Sequence, residues 1–104
     1  MMIKEIDVQE LARLRENGEL HTLVDIRSPM EIMQGSIENS ENIPMNQIPE
    51  NIDKLKSMDK VVLYCRSGAR SAHACAFLAS QGLDNIINLK GGIIAWSQSG
   101  QSVG

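Results

Sequence analysis

The richest chemistry in the chain lies in Tyr64-Cys65-Arg66-Ser67-Gly68-Ala69-Arg70-Ser71. A thiol follows a continuous apolar run, VVLY (61–64), and a short polar loop then leads into an Ala-rich segment, RSAHACAFLASQ (70–81). The apolar run suits a strand buried on both faces. The Ala-rich segment reads as a helix that stops at Gly82 as its C′ residue. Ligands in open α/β sheets gather beyond the carboxyl ends of the strands, which is where Cys65 falls. Loop amides and the first turn of a helix offer N–H donors that favour negative charge. Arg66 and Arg70 add two permanent cations, and Gly68 permits the tight curvature of a cradle. Each of these effects lowers a thiol pKa, and the thiolate is the nucleophilic form. An inert buried cysteine followed by a surface turn is the plainer alternative. Two arginines, two serines and a glycine at one strand-to-helix junction favour a reactive Cys65.

The elements that must position this loop are legible as alternating periodicities. Residues 7–16, DVQELARLRE, place Val8, Leu11, Ala12 and Leu14 on one helical face. Asp7 is the expected N-cap, Glu10 completes a capping box and Gly18 is a natural stop. LHTLVDI (20–26) reads as a strand, NIINL (85–89) as another, and GIIAWSQ (92–98) as a last short helix. NQIPENIDKLKS (46–57) is expected to hold a helix starting near Pro49. Strands alternating with helices of about ten residues imply an α/β architecture, a mainly parallel sheet with helices on both faces. The expected organisation is one domain over residues 1–98 followed by a frayed polar tail at 99–104.

Composition narrows the function classes. The chain has 104 residues, 42% hydrophobic and 22% charged, which suits one globular core and not disorder. Tyr64, Phe77 and Trp96 are the only aromatics, so an aliphatic core is expected and a base-stacking nucleic-acid platform is excluded. The net charge of −3 argues against DNA as a partner, since phosphate contacts need many cations. That charge is unevenly spread: residues 1–59 hold 6 Lys/Arg against 12 Asp/Glu, while residues 60–104 hold 4 against 1. The positive part surrounds the Cys65 loop and suits a small anion. Only two cysteines are present, no signal-peptide pattern opens the chain, and no apolar stretch approaches the length of a membrane span. A cytoplasmic protein with free thiols and no membrane partner is the expectation.

Four motifs in order resemble the rhodanese family of sulfurtransferases, over nearly the whole chain. LVDIRSPMEI (23–32) resembles the family's Asp-x-Arg-x-x-x-Glu segment through Asp25, Arg27 and Glu31. GSIENSENIP (35–44) aligns with its Gly-His-Ile-x-Gly-Ala-x-Asn-Ile-Pro stretch, CRSGARS (65–71) with its active-site loop, and LKGGIIAW (89–96) with its closing Gly-Gly-x-x-x-Trp element. The resemblance implies a five-stranded parallel sheet. It also implies that Cys65 accepts a sulfane sulfur as a persulfide, from thiosulfate or another small anionic donor, and passes it to cyanide, a thiol or a partner protein carrying a thiol or persulfide. Arg66, Ser67, Gly68, Ala69 and Arg70 would then bind substrate, their amides surrounding the persulfide and Arg70, assisted by Arg66, holding a sulfonate. Asp25, Arg27 and Ser71 would support the site, and no cofactor or metal is implied. Related phosphatases use Cys-x5-Arg; here Arg70 gives Cys-x4-Arg, and Ser71 stands where their arginine would be. The shorter loop suits one sulfur atom better than a tetrahedral phosphate. A relay module passing sulfur between proteins, with little thiosulfate turnover, is the alternative function.

Departures and lesser candidates complete the reading. Ser36 replaces the family's His, and Asn39 and Ser40 replace its Gly and Ala; Asn39 is expected to keep the turn through a left-handed backbone. Asp25 is expected to hydrogen-bond backbone groups at a strand end, and Arg27 and Glu31 to form an i, i+4 pair. Cys75 is expected to be a small core residue, since ten residues of chain separate it from Cys65. His21 and His73 lack metal-ligand spacing, and His73 is expected on a solvated helical face. Met30, Met33, Met45 and Met58 are expected to fill gaps in the core. Gly91 and Gly92 are expected to let backbone approach the active loop, with Trp96 packed in the core.

Overall fold

A computed structural model describes residues 3–101 and 103–104. Five strands form one sheet: β1 (Lys4–Ile6), β2 (Thr22–Asp25), β3 (Ser40–Asn42), β4 (Val61–Tyr64) and β5 (Ile86–Leu89). Their order is β1-β5-β4-β2-β3, and every neighbouring pair is parallel. The helices are α1 (Val8–Glu16), α2 (Pro29–Ile32), α3 (Ile52–Lys56), α4 (Ala69–Ser80) and α5 (Gly92–Gln98), with a 3₁₀ turn at Met45–Asn51. The expected α/β architecture is therefore present.

Burial follows from the parallel sheet, which needs helices over both faces. On one face Val61, Leu63 and Val24 pack with Ile48, Leu55, Ala74, Cys75 and Leu78, beneath the 3₁₀ turn, α3 and α4. On the other face Val62, Leu23 and Leu89 pack with Val8, Leu11, Ile93 and Trp96, beneath α1 and α5. β4 is buried along its whole length. Each large aliphatic side chain so removed from water contributes on the order of 1.5–3 kcal/mol. The core is not wholly aliphatic, because Tyr64 and Trp96 are inside it; Phe77 is the aromatic left partly exposed.

Local signals set most element ends. Asp7 Oδ1 accepts from the Glu10 amide at 2.8 Å, and the Glu10 carboxylate accepts from the Asp7 amide, so the expected capping box starts α1. α4 runs over 69–80 and α5 over 92–98, matching the periodic segments. Gly82 sits at φ +90 just past α4, and Asn39 at φ +65 keeps its turn. The segment around Pro49 differs from expectation, beginning as the 3₁₀ turn and becoming α3 only at Ile52.

The expectation for the methionines is corrected in part. Met30 and Met33 are 79% and 86% exposed and fill no gap, because α2 is a single turn that buries none of its residues and Met33 caps its exposed end. Met45 is also partly exposed, whereas Met58 packs against the core as expected. The strands β1 and β3, three residues each, carry no apolar alternation that would announce them. They are recruited at the sheet edges by parallel pairing with β5 and β2. The expected tail includes Ser102, which lies outside the described residues; Gly104 exchanges both backbone hydrogen bonds with Ser36, at 2.9 Å each.

The order of the strands places the site. From β2 the chain moves outward to β3, and from β4 it moves the other way to β5, so the connections diverge above the β2–β4 pair. Such a divergence leaves a crevice at the carboxyl ends, and Cys65 directly follows β4 there. α5 closes the crevice: the Ile93 amide donates to Cys65 O at 3.0 Å and the Ile94 amide to Arg66 O at 3.1 Å. Gly92 makes this approach possible, since a Cβ there would lie 2.5 Å from both Cys65 O and Arg66 O at φ +59. Gly92→Ala is expected to cost about 3 kcal/mol in urea unfolding, from left-handed strain plus a backbone clash. Gly82→Ala, with open space around its Cβ, is expected to cost only about 1 kcal/mol. Equal losses would show that α5 does not need this close contact.

Candidate active site

The sulfur of Cys65 sits at the floor of a cradle made by the β4–α4 junction. Gly68 adopts φ +97, which reverses the chain and opens α4 at Ala69. Its amide donates to Cys65 Sγ at 3.1 Å, and the Ser71 hydroxyl lies 3.5 Å from the same atom. Burial pushes the thiol pKa up. The Ser71 hydroxyl and the amides of Ser71, Gly68 and Ser67 outweigh that push and leave it lowered. The three amides are fixed by the helix start, so they face the sulfur without reorganising. Arg66, Ser67 and Ala69 are exposed at the mouth, while Gly68 and Ser71 are buried beneath it.

Cys75 supplies the internal comparison. It is 2% exposed among the residues packed under α4, with no amide aimed at its sulfur, and burial pushes its thiol up to about 12. Cys65 is 1% exposed, so burial alone does not separate the two. Both cysteines are free thiols. His73 is exposed on α4, and among the described residues no three His, Cys, Asp or Glu side chains converge as a metal site would require.

The charged groups pair differently from the expected i, i+4 arrangement. Arg27 lies in the turn before α2, off the helix, so helical spacing does not bring it to Glu31. It folds back on Asp25, with Nη2 to Oδ2 at 2.7 Å and Nε to Oδ1 at 3.0 Å, and donates to Gly35 O at 2.7 Å. Both partners are buried, and the Asp25 hydrogen bond raises the Arg27 pKa. Asp25 also accepts from the Arg27 amide at 2.9 Å, so it does order backbone as expected. The Arg27 guanidinium sits 5.9 Å from the centre of the Tyr64 ring. The Tyr64 hydroxyl in turn accepts from the Ile37 amide and meets Ser40 Oγ at 2.9 Å, holding the segment after Ser36.

Glu31 caps α2 by accepting from Ser28, and it also grips Arg70 through two parallel bonds of 2.7 and 2.9 Å. A planar fork of this kind is the strongest geometry available to a carboxylate and a guanidinium. Arg70 is thus tethered to α2, and Arg66 is the cation at the mouth without an ion pair among the described residues. A cleft of about 550 Å³ beside it is lined by Arg27, Glu31, Gly35, Arg66, Ile93 and Ile94.

The sequence reading passed over Asn88. Its side chain is 1% exposed in the centre of β5, with Oδ1 accepting from the Ser71 hydroxyl at 2.5 Å. One signal could have disclosed it: an asparagine inside the apolar run NIINL needs a buried polar partner.

A Rhodanese-like domain model matches residues 7–99. The chain belongs to the rhodanese-like domain family. A protein of Allochromatium vinosum named sulfurtransferase is 46% identical over 99 residues, spanning 95% of this chain and 92% of that one. A rhodanese-related protein from Thermoplasma volcanium has a crystal structure that superposes with TM-score 0.82 at 38% identity, covering 97% of each chain. A rhodanese-like domain protein from Staphylococcus aureus gives TM-score 0.81 at 33% identity, over 90% of this chain and 91% of that one. This rhodanese-like domain is accordingly a sulfurtransferase relative over almost its whole length, with Cys65 at the amide-lined end of its central strand.

The Glu31–Arg70 tether carries a pH signature. The hydrogen bond from Arg70 is the main reason the Glu31 carboxyl titrates at about 2 instead of its ordinary 4.5. A depressed carboxyl pKa means that the tether's contribution is complete above about 4.5 and lost as pH falls through about 2. The pair is partly exposed, so its effect on global stability is small. An NMR titration of the Glu31 carboxyl carbon is expected to show a midpoint near 2, moving toward 4.5 in Arg70→Ala. A midpoint near 4.5 in the unaltered protein would show the tether is absent in solution.

Proposed function

We propose that this domain moves a sulfane sulfur through a persulfide on Cys65. One observation carries the reading: a thiol at a strand end receives the Gly68 amide and faces the Ser71 hydroxyl, in a loop too short for a Cys-x5-Arg phosphate cradle. The Cys65 thiolate attacks the outer sulfur of thiosulfate, a Cys65 S–S bond forms, and the donor's S–S bond breaks as sulfite leaves with the electron pair. The persulfide anion then lies among amides that already favour negative sulfur. Cyanide, a thiol or a protein thiolate attacks the outer sulfur, and the Cys65 thiolate departs with the bonding pair. No net oxidant or reductant is needed in either half, and ping-pong kinetics follow. An organic persulfide would donate in the same way, with a thiolate as leaving group. Two free cysteines support a reducing compartment such as the cytoplasm. Among the described residues no helix is long and apolar enough to cross a membrane.

The second reading, a protein-to-protein relay with little thiosulfate turnover, draws on the Glu31–Arg70 pair. Thiosulfate is a dianion, and the cation that would hold its sulfonate is already bound by a carboxylate. Met30 and Met33, exposed on and just past the helix that carries Glu31, offer an apolar surface of the adaptable kind that protein partners use.

Intact-protein mass spectrometry after thiosulfate treatment is expected to show a gain of about 32 Da, one sulfur, mapped to Cys65 and absent from Cys65→Ala. No gain in either the wild type or Cys75→Ser would overturn the sulfurtransferase reading. Arg70→Ala is expected to raise KM for thiosulfate by about tenfold, the loss of one charge-assisted contact. Unchanged donor kinetics in that variant, with rapid sulfur uptake from a protein persulfide, would favour the relay.

A further inference from the structure

Ser71 has one hydroxyl hydrogen and three acceptors within reach: Asn88 Oδ1 at 2.5 Å, Gly68 O at 3.2 Å and Cys65 Sγ at 3.5 Å. A hydroxyl donates once. Asn88 cannot be turned over to relieve the competition. Its Nδ2 donates to Glu5 Oε2 at 2.8 Å and to Gly68 O at 3.3 Å, and both of these are acceptors only. A flipped amide would set Oδ1 against a carboxylate and a carbonyl. β1 and β5 pair Glu5 directly with Asn88, and a parallel pair presents its side chains on one face. That face is the one beneath α4 on which Cys65 packs. A chain of polar contacts therefore runs from the exposed Glu5 on the edge strand through two buried residues to the sulfur.

We propose that Asn88, oriented by Glu5, is a positioning residue that competes with Cys65 for the Ser71 hydroxyl hydrogen. While the sulfur is neutral, the hydrogen stays on the short bond to Asn88. Ser71 then turns an oxygen lone pair toward the thiol, which can donate its own S–H to that lone pair. When the sulfur becomes an anion, as thiolate or persulfide, Ser71 must rotate its hydrogen away from Asn88 to reach it. The rotation gives up a good hydrogen bond, so Asn88 moderates the stabilisation that Ser71 offers the anion. On ionisation the S–H bond breaks, the sulfur keeps the electron pair and the proton goes to solvent; every other change is in hydrogen bonds. The inference rests on Cys65 being the reacting group, as the proposed sulfur transfer requires.

The charged and titratable groups around Cys65 are Arg70 and Cys75 on α4, which interact with it directly, and Arg66 beside it; Glu31 and Asp25 act on Arg70, and Glu5 on β1 acts on Cys75 and Asn88. The test leaves all of these unchanged except Glu5 and Cys75, the latter replaced alike in every sample. Thiolate ultraviolet absorbance is followed against pH in a Cys75→Ser background, which needs no sulfur donor and so is separable from any failure of the sulfur-transfer reading. Asn88→Leu, close in volume and without polar atoms, frees the Ser71 hydrogen. The Cys65 pKa is expected to fall by about half a unit to one unit, a three- to tenfold gain in thiolate on the acid side. In a Ser71→Ala background the same change is expected to have no effect, since the hydrogen being contested is gone.

Glu5 is exposed, so its variants keep the question answerable if Asn88→Leu does not fold. Glu5→Gln removes the charge but keeps an acceptor for Asn88, and Glu5→Ala removes both. Glu5→Ala is expected to lower the Cys65 pKa further than Glu5→Gln, because only it leaves the Asn88 amide without a side-chain acceptor to hold its orientation. An Asn88→Leu profile that matches the parent, a shift that survives Ser71→Ala, or identical profiles for the two Glu5 variants would each overturn the proposal.

Discussion

A sulfur anion in an apolar interior must find donors, and the placement of those donors is the constraint on which the rest of the structure depends. Cys65 and Cys75 are almost equally buried, at 1% and 2% exposure, yet their thiols shift in opposite directions. Burial raises both. Only Cys65 stands where a chain reversal and the first turn of a helix aim amides at its sulfur. Gly68 makes the reversal through its left-handed backbone, and Gly92 lets α5 bind the carbonyls of Cys65 and Arg66 from behind. The cradle is thus held on one side by α4 and on the other by α5, and β4 beneath it is the most enclosed strand of the sheet.

Charge around the cradle is organised by pairing. Asp25 takes Arg27 into the interior, where the pair braces the end of β2 and the segment through Gly35. Glu31 takes Arg70 and couples the exposed α2 turn to the first turn of α4. Arg66 is left facing the cleft. The positive balance of residues 60–104 is therefore smaller at the site than the formal charges suggest, because carboxylates from the acidic part of the chain reach across to it.

The long periodic elements were legible because their signals are local. The capping box at Asp7 and Glu10, the apolar VVLY run and the Ala-rich stretch before Gly82 each reflect contacts within a few residues, and α1, β4 and α4 form where those signals lie. β1 and β3 were not legible, because three-residue edge strands exist only through the partners that pair with them. Met30 and Met33 misled for a related reason: apolar character says nothing about burial when the side chain stands on the solvent side of a short turn. The Arg27–Glu31 spacing misled because i, i+4 proximity holds only inside a helix, and Arg27 precedes one.

The amino-acid sequence by itself determined the family and marked Cys65 and its loop as the candidate site, since Cys65 to Ser71 and the three other motifs are contiguous patterns whose chemistry needs no distant partner. It also marked Cys75 as a packing residue, because its helical neighbours are apolar and ten residues separate it from Cys65. Tertiary structure alone decided which carboxylate holds which arginine and which side chain reaches Ser71. Glu31 lies 39 residues from Arg70, and Asn88 lies 17 from Ser71 and 83 from Glu5. Contacts over such separations arise from strand order and register, because parallel pairing brings β1 against β5 and sets the ends of β2 and β4 side by side. Identity at the sulfur is local, whereas its tuning belongs to the fold.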